Sequence, residues 1–253
     1  VFGDGDRALS FFQNTAILLC IALAVTPAFK MRFWNIGAEG QVLMGCLGCV
    51  VCIQYMGGRI NNSLLILIMF LFSVVFSVAW AVIPAIFKAK WRTNETLFTL
   101  MMNYVAIQLV AFFIIVWESP AGSGKVGIIN QQTQAGWLPM IGSNRYMLNV
   151  LIVALLTVAM YVYLKYTKHG YEIAVVGESE RTARYVGIKV ERVIMRTMLI
   201  SGALCGLAGF LLVAGTDHTI TTSLSDSRGF TAVMVSWLAK FSPIFMVFAT
   251  FLI

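Results

Sequence analysis

The sequence predicts an all-α, polytopic membrane protein, and three observations support this fold class. Of the 253 residues, 59% are hydrophobic and 11% are charged, and the mean hydropathy is +0.85. Soluble domains carry about a quarter charged residues, so these values exclude a large soluble core. Several apolar runs reach the roughly 20 residues that a helix needs to cross a bilayer. Finally, a charged run that is compatible with helices, residues 165–196, lies between two such segments.

Apolar runs of sufficient length define the predicted membrane spans. In chain order they are Leu9–Phe29, the run that follows Phe33–Gln41 and ends near Met56, Ser63–Phe87, Glu95–Trp117, Tyr146–Leu164 and Thr197–Gly215. The stretch Phe230–Ile253 is broken by Lys240 and Pro243, which indicates a short re-entrant helix and then the start of another span. We expect one transmembrane domain over residues 1–253 with about seven to eight membrane segments. Both ends are predicted to be truncated, because the chain lacks an initial Met and stops within an apolar run.

The positions of Lys and Arg predict which side of the membrane each loop occupies. If residues 165–196 are cytoplasmic, alternation of the spans places 12 basic residues inside and five outside, with Lys240 unassigned. Basic residues concentrate in the cytoplasmic loops of membrane proteins, so this asymmetry favours a cytoplasmic 165–196 loop. The net charge of +7 follows from the same bias and does not indicate nucleic-acid binding. The polar stretches Glu118–Arg145 and Thr216–Gly229 are then predicted to be external.

Three cysteines with the spacing C-x-x-C-x-x-C resemble part of an iron–sulfur ligand run. They are Cys46, Cys49 and Cys52, and the position of a fourth ligand is occupied by Met56. A spacing of three on an apolar helix places small side chains along one packing face. We therefore expect packing and no metal.

Two polar runs resemble a phosphate-binding loop and a hydrolytic site, but neither is expected to carry out the chemistry of such a site. The sequence AGSGKV at residues 121–126 lacks the first Gly and the Ser or Thr after Lys125 that a phosphate-binding loop requires. Asp217, His218 and Asp226 lie in a predicted external loop, where isolated polar residues are usually only solvated. ATP hydrolysis and hydrolytic catalysis by this chain are therefore not expected.

Polar residues placed against apolar spans are the main candidates for function, because charge within hydrocarbon is costly. The run NIGAEGQ brings Asn35, Glu39 and Gln41 together with Gly37 and Gly40 at the start of a span. Glycines beside a carboxylate suggest an unwound segment whose backbone groups bond internally or line a cavity. A cluster of helix-capping residues at the membrane surface is the alternative, and both interpretations remain open.

A second polar run, NETLFTLMMNY, begins the fourth predicted span. It contains Asn94, Glu95, Thr99 and Asn103. These residues are further candidates for a polar path through the membrane. Helix capping is again the alternative, because Asn94 directly before Glu95 is also a suitable N-cap.

Small residues in the sixth predicted span indicate close helix packing. Gly202 and Gly206 have the spacing G-x-x-x-G, with Ala203, Ala208 and Gly209 beside them. Such residues let two helix backbones approach closely. We expect a packing face there.

Taken in order, five runs of the chain resemble the permease subunits of bacterial binding-protein-dependent ABC importers. They are FWNIGAEGQVLMG, NETLFTLMMNY, HGYEIAVVGESERTARYVGI, SGALCGLAGFLLVAG and GFTAVMVSWLAKFSP. The similarity is to the ribose and branched-chain amino-acid permeases, and within them the first two runs are most similar to the nucleoside branch linked to basic membrane lipoproteins. The resemblance extends from about Ala16 to Ile253. The run MVSWLAKFSP departs from the more regular sequence that is usual in this family.

The resemblance implies how the chain works and with which partners. Two permease chains, identical or sister, would pair with two cytoplasmic ATP-binding cassette subunits, which alone hold ATP and magnesium, so this chain would be no enzyme and carry no cofactor or metal. An extracytoplasmic substrate-binding protein would meet the external loops and deliver a small polar solute. The similarity to the nucleoside branch implies that this solute is a nucleoside. The solute path would be lined by Asn35, Glu39, Gln41, Asn94, Glu95, Thr99 and Asn103.

The same resemblance places the contact with the ATPase in the 165–196 loop. Its coupling residues would be Gly170, Tyr171, Glu178, Glu180, Arg181, Arg184 and Tyr185. Apolar contact to the ATPase would come from Tyr171, Ile173, Val175 and Val176.

Other functions stay open on the sequence alone. A permease of the same superfamily could carry a simple sugar instead of a nucleoside. An ion-coupled secondary transporter would need no ATPase and could use Glu39 as a proton carrier, although the charged 165–196 loop argues against it. A membrane enzyme would need paired carboxylates or a His/Asp cluster facing one cavity, and the chain has only two His.

Overall fold

Ten α-helices and one π-helix account for the regular structure that the computed structural model describes, in residues 5–120, 122–139 and 146–253. In chain order they are α1 (Gly5–Lys30), α2 (Ala38–Met56), α3 (Asn62–Trp91), α4 (Glu95–Trp117), α5 (Met147–Tyr166), α6 (Lys168–Glu178), α7 (Glu180–Tyr185), α8 (Val190–Leu212), the π-helix Val213–Asp217, α9 (Arg228–Leu238) and α10 (Pro243–Leu252). The predicted all-α fold class is confirmed. Residues 140–145 of the predicted external loop and Ala121 of the AGSGKV run lie outside the described residues.

Six of these helices are long and apolar enough to cross a membrane. They are α1 to α5 and the continuous helical stretch Val190–Asp217. Helix α8 begins earlier than the sixth predicted span, which started at Thr197, because the charged first turns of α8 continue into its apolar part without a break. The helices α9 and α10 have 11 and 10 residues, so at 1.5 Å per residue each is about half the thickness of a hydrocarbon core. The re-entrant segment and the total number of membrane segments therefore stay predictions.

The core of the bundle is built around α8, which packs most extensively on α3 and also contacts α1 and α2. The predicted packing face is confirmed at Gly202 and Gly206. A Cβ added to Gly206 would lie 2.8 Å from the carbonyl oxygen of Ser73 and 2.8 Å from Cα of Val74. The Ser73 hydroxyl donates a 2.6 Å hydrogen bond to the Gly206 carbonyl oxygen. Glycine at position 206 thus allows α3 and α8 to meet backbone to backbone.

The cysteines of α2 pack as expected from their spacing. Cys46 and Cys49 are buried, and their thiols point at the carbonyl oxygens of Gly209 and Met69, at 3.6 Å in both cases. No group of three or more metal-binding side chains occurs among the residues that the structure describes. The side chain of His218 is also buried, and its ring stacks on Trp137 with 3.7 Å between the ring centroids.

Candidate functional site

The chain is not helical between α1 and α2. Residues 33–36 have no regular structure, and α2 begins only after Gly37. The backbone of this segment is held by side chains of α4, since the Ile36 N–H donates to Thr99 Oγ1 at 3.2 Å and the Ile36 carbonyl accepts from Asn103 Nδ2 at 2.9 Å. The unwound segment with internal hydrogen-bond partners that the sequence predicts is confirmed. Its role in a solute path stays a prediction.

Asn103 joins the last residue of the break to the first turn of α2. Besides the bond to Ile36, its Oδ1 accepts the Gly40 N–H at 2.9 Å, in the first turn of α2. A Cβ on Gly40 would lie 2.9 Å from this Oδ1, so glycine there permits the contact. Free N–H groups at a helix start need such acceptors when they are buried. This pair of hydrogen bonds therefore fixes where α2 begins.

Asn35 organises the middle of the break. Its Oδ1 accepts the Gly37 N–H at 3.0 Å and lies 3.4 Å from Gln41 Nε2, while its Nδ2 donates to Ser201 Oγ of α8 at 3.3 Å. Asn35 and Gln41 are buried. The Gln41 Oε1 atom is buried and has no hydrogen-bond partner among the described residues. This oxygen is the open acceptor of the cluster.

Glu39 joins the break to the loop before α9. Its side chain is 5% exposed, and its two oxygens accept hydrogen bonds from the Ser225 hydroxyl and, at 2.8 Å, from the Gly229 N–H. Gly229 is in the first turn of α9, and Glu39 itself is in the first turn of α2. The carboxylate thus lies at two helix N-termini, both of which favour a negative charge.

The cluster lies well within the membrane-spanning part of the fold. Asn103 follows the start of α4 by eight residues, which corresponds to about 12 Å along the helix axis. On the α9 side, Trp34 stacks on Trp237, with 5.1 Å between their ring centroids. A polar cluster at this depth is expensive unless its members bond to one another or serve the transport path.

Five of the seven predicted path residues meet in this cluster, and two do not. Asn94 is the N-cap of α4 and accepts hydrogen bonds from the backbone N–H groups of Thr96 and Leu97 at 3.1 and 3.2 Å. Glu95 forms a 2.7 Å ion pair with Lys88 at the end of α3. For Asn94 the capping interpretation is confirmed, whereas the path role of all seven residues stays a prediction.

Two helices shape the predicted coupling loop. The helices α6 and α7 present the exposed side chains of Tyr171, Glu178, Glu180, Arg181, Arg184 and Tyr185. Gly170 differs from these residues because it is buried against the carbonyl groups of Tyr163 and Leu164 at the end of α5. Its position indicates a packing contribution, since any side chain would clash with those carbonyls.

The apolar contacts expected from α6 are only partly available to an ATPase. Ile173 and Val176 are buried and face the bundle, so the prediction that they contact the ATPase is wrong. Spacing of three along a helix puts them on the inner face, together with Gly177, which packs on the Lys30 carbonyl. Tyr171 is exposed and remains available.

An ion pair ties α6 to α8. Arg196 donates to Glu172 Oε2 at 2.8 Å, and this hydrogen bond lowers the pKa of Glu172 below its usual value. A lowered pKa means that the pair stabilises the fold while Glu172 is ionised. This contribution is lost as the pH falls through the lowered pKa.

Three residues of the buried cluster were not predicted: Ser201, Ser225 and Gly229. Ser201 precedes Gly202 in a run that only indicated packing. Ser225 and Gly229 belong to a stretch predicted as an external loop, yet Ser225 is fully buried. The available signal was the pair Ser225 and Ser227 at the start of an apolar helix, because serine is a preferred residue at helix N-termini.

A bundle of membrane helices with a polar break at its centre and a charged helical surface at one end is the architecture of a membrane transport protein. The chain belongs to the family described as the permease component of the branched-chain amino acid transport system, which matches residues 7–253. The family resemblance seen in the sequence is thereby confirmed. The protein is a multi-pass protein of the cell membrane.

Relatives with assigned names cover nearly the whole chain. It is 29% identical to the glucose ABC transporter permease protein TsgB13 of Haloferax volcanii over 90% of its own length and 62% of that protein. It is 28% identical to the guanosine ABC transporter permease protein NupP of Bacillus subtilis, covering 100% of the chain and 73% of NupP. The nucleoside ABC transporter permease protein NupB of Lactococcus lactis is also 28% identical, over 95% of the chain and 68% of NupB.

Proposed function

We propose that the chain is the permease subunit of an ABC importer that moves a nucleoside into the cell. NupP and NupB, whose names specify guanosine and nucleosides, support this proposal, and the glucose permease TsgB13 supports a sugar as the second candidate. Both solutes are neutral and carry several hydroxyl groups. A site for them needs neutral donors and acceptors, and Asn35, Gln41 and Asn103 provide amides at the helix break.

The observation that carries the proposal is the open acceptor at Gln41. The oxygens of Asn35, Glu39 and Asn103 all accept hydrogen bonds from this chain, whereas Gln41 Oε1 accepts none within the described ranges. A buried acceptor without a partner costs about 1–3 kcal/mol. A solute hydroxyl or amine that donates a hydrogen bond to Gln41 Oε1 when the transporter opens would offset this cost. Solutes with such a donor would therefore be preferred.

Replacing Gln41 with Ala tests this solute contact. We expect uptake of radiolabelled guanosine at limiting concentration to fall by about tenfold, the equivalent of about 1.4 kcal/mol, because a matched hydrogen bond is lost. The amount of protein in the membrane should be unchanged. Gln54→Ala is the matched control, since Gln54 is an exposed residue of the same helix. Unimpaired guanosine uptake by Gln41→Ala would contradict the contact. Uptake of glucose instead of guanosine by the wild-type transporter would favour the second candidate.

Energy for import would come from the partner subunits. The exposed face of α6 and α7 would dock on the ATP-binding cassette subunit, which holds ATP and magnesium. The second permease chain and the extracytoplasmic substrate-binding protein complete the proposed assembly, with the binding protein meeting the external loops. Tyr185 supports the docking role, because its side chain is 92% exposed and exposed aromatic residues are frequent anchors of protein interfaces.

The double variant Glu178→Ala and Tyr185→Ala tests the coupling surface. Both side chains are exposed, so folding and insertion should persist. We expect solute-stimulated ATP hydrolysis and uptake to fall together by about tenfold, as for the loss of one interface anchor. Arg59→Ala, an exposed residue on the predicted external side, should leave both rates unchanged. Wild-type uptake by the double variant would exclude this face as the coupling site.

A further inference from the structure

Two adjoining cavities lie where α3 ends and α8 begins, on the predicted cytoplasmic side. The first has a volume of about 290 Å³ and a mainly basic lining of Lys88, Arg92, Arg181 and Arg184, with Glu180 and Glu191 as its acidic members. The second has a volume of about 460 Å³ and lies beside it, because both are lined by Ala89 and Glu191. The two cavities thus adjoin at Ala89 and Glu191, between the end of α3 and the start of α8.

Charge in the basic cavity is only partly compensated. Lys88 is paired with Glu95 at 2.7 Å, and Arg184 with Glu191 at 2.9 Å. Arg92 and Arg181 are exposed and form no ion pair with the residues described in this structure. An anion placed between these two guanidinium groups would meet unneutralised positive charge.

The second cavity has apolar and charged lining residues. The apolar ones include Ile86 on α3 and Met195 and Leu199 on α8, and the charged ones are Lys90, Glu191, Arg192 and Arg196. Leu199 is exposed and follows the start of α8 by nine residues, which is about 13 Å along the helix axis. The groove therefore runs from the charged end of the helices to the depth of lipid acyl chains.

Trp91 marks the level of the membrane surface at this place. It ends α3 and is 62% exposed, and its ring packs on Phe87 with 4.9 Å between centroids. Exposed Trp side chains are enriched at the boundary between headgroups and hydrocarbon. A lipid at this level would have its headgroup beside Arg92 and its chains beside Ile86 and Leu199.

We propose that this double cavity binds an anionic phospholipid of the cytoplasmic leaflet. The headgroup phosphate lies between Arg92 and Arg181, and one acyl chain follows the groove between α3 and α8. A free phosphate ion would use the first cavity and leave the apolar groove without a role. A protein partner would need to reach the exposed Leu199 side chain, which lies within an apolar span. A phospholipid satisfies both parts at once.

Photo-crosslinking of the transporter in vesicles, with its partner subunits present, tests the proposal. The probe is phosphatidylglycerol with a diazirine in one acyl chain, in a phosphatidylcholine background. We expect labelled peptides from the groove around Ile86 and Leu199. Arg92→Asn, which keeps a residue that tolerates the left-handed backbone at this position, should reduce labelling about fivefold. Arg59→Asn serves as the charge control and should leave labelling unchanged.

A second variant separates shape from charge. Ala89→Phe fills the junction of the two cavities without changing charge, and it should reduce labelling as Arg92→Asn does. Equal groove labelling by the same probe with a phosphatidylcholine headgroup would overturn the proposal. So would displacement of the label by inorganic phosphate alone, which would show a free-anion site. Labelling that occurs only when the ATPase subunit is removed would assign the cleft to that subunit and also overturn it.

Discussion

Replacing Glu39 with Leu is expected to abolish uptake and to lower the free energy of unfolding by about 2–4 kcal/mol. The change removes both acceptors that hold Ser225 and the Gly229 N–H, and it leaves these two donors buried. Each buried donor without a partner costs about 1–3 kcal/mol. The start of α9 would then separate from the start of α2, and with it the geometry of the polar break.

The substitution Glu39→Gln is the matched comparison for this prediction. Its amide oxygen can still accept the Gly229 N–H, and its NH₂ group can donate to the Ser225 hydroxyl, which is able to reverse its role. We therefore expect Glu39→Gln to retain a measurable fraction of uptake and most of the stability. Thermal unfolding in detergent and solute uptake in cells measure the two effects separately.

The same pair of variants decides between two transport mechanisms. If Glu39 only holds the helix starts, uptake by Glu39→Gln should keep the pH dependence of the wild type. Should Glu39→Gln abolish uptake in a pH-dependent way while the ATPase subunits prove dispensable, Glu39 would carry protons and the chain would be a secondary transporter. Equal stability of Glu39→Leu and the wild type would contradict the structural role itself.

Sequence patterns predicted the break between α1 and α2 because its signal is local. Gly37 and Gly40 flank Glu39, and the amide residues lie within six positions of one another. Conflict between helix-breaking residues and an apolar context is visible without a structure. Thr99 and Asn103 were also named from the sequence as candidates for a polar path, since they are polar residues at a helical spacing of four within an apolar run. Their contacts with the break were not predicted.

The contributions of Ser201, Ser225 and Gly229 could not be predicted in this way. They lie more than 160 positions from Asn35 or Glu39, and only the folding of α8 and α9 onto α2 brings them close. Serine and glycine are also common in loops, so the run before α9 was predicted as an external loop. The inward orientation of Ile173 and Val176 was missed for a related reason, because amphipathicity shows that a helix has two faces but not which partner covers each.

Replacing Gly206 with Val is expected to remove most of the folded transporter from the membrane. The new Cβ would lie 2.8 Å from the Ser73 carbonyl oxygen and from Cα of Val74, and both atoms belong to the backbone of α3. A side chain could rotate away, but a helix backbone moves only if the whole contact opens. Overpacking of this kind costs about 1–3 kcal/mol, and two further methyl groups on the Cβ raise the cost.

The expected loss is large because α8 contacts α1, α2 and α3 at once, so a shift away from α3 disturbs each of these contacts. Gly206→Ala should be intermediate, since it adds only the Cβ. Gly127→Val is the matched control, because an added Cβ there meets open space and its backbone requires no left-handed conformation. Size-exclusion profiles of solubilised membranes and thermal unfolding measure the effect. A Gly206→Val protein that unfolds at the wild-type temperature would show that α3 and α8 do not meet at this glycine, and the register of the central helix pair would have to be redrawn.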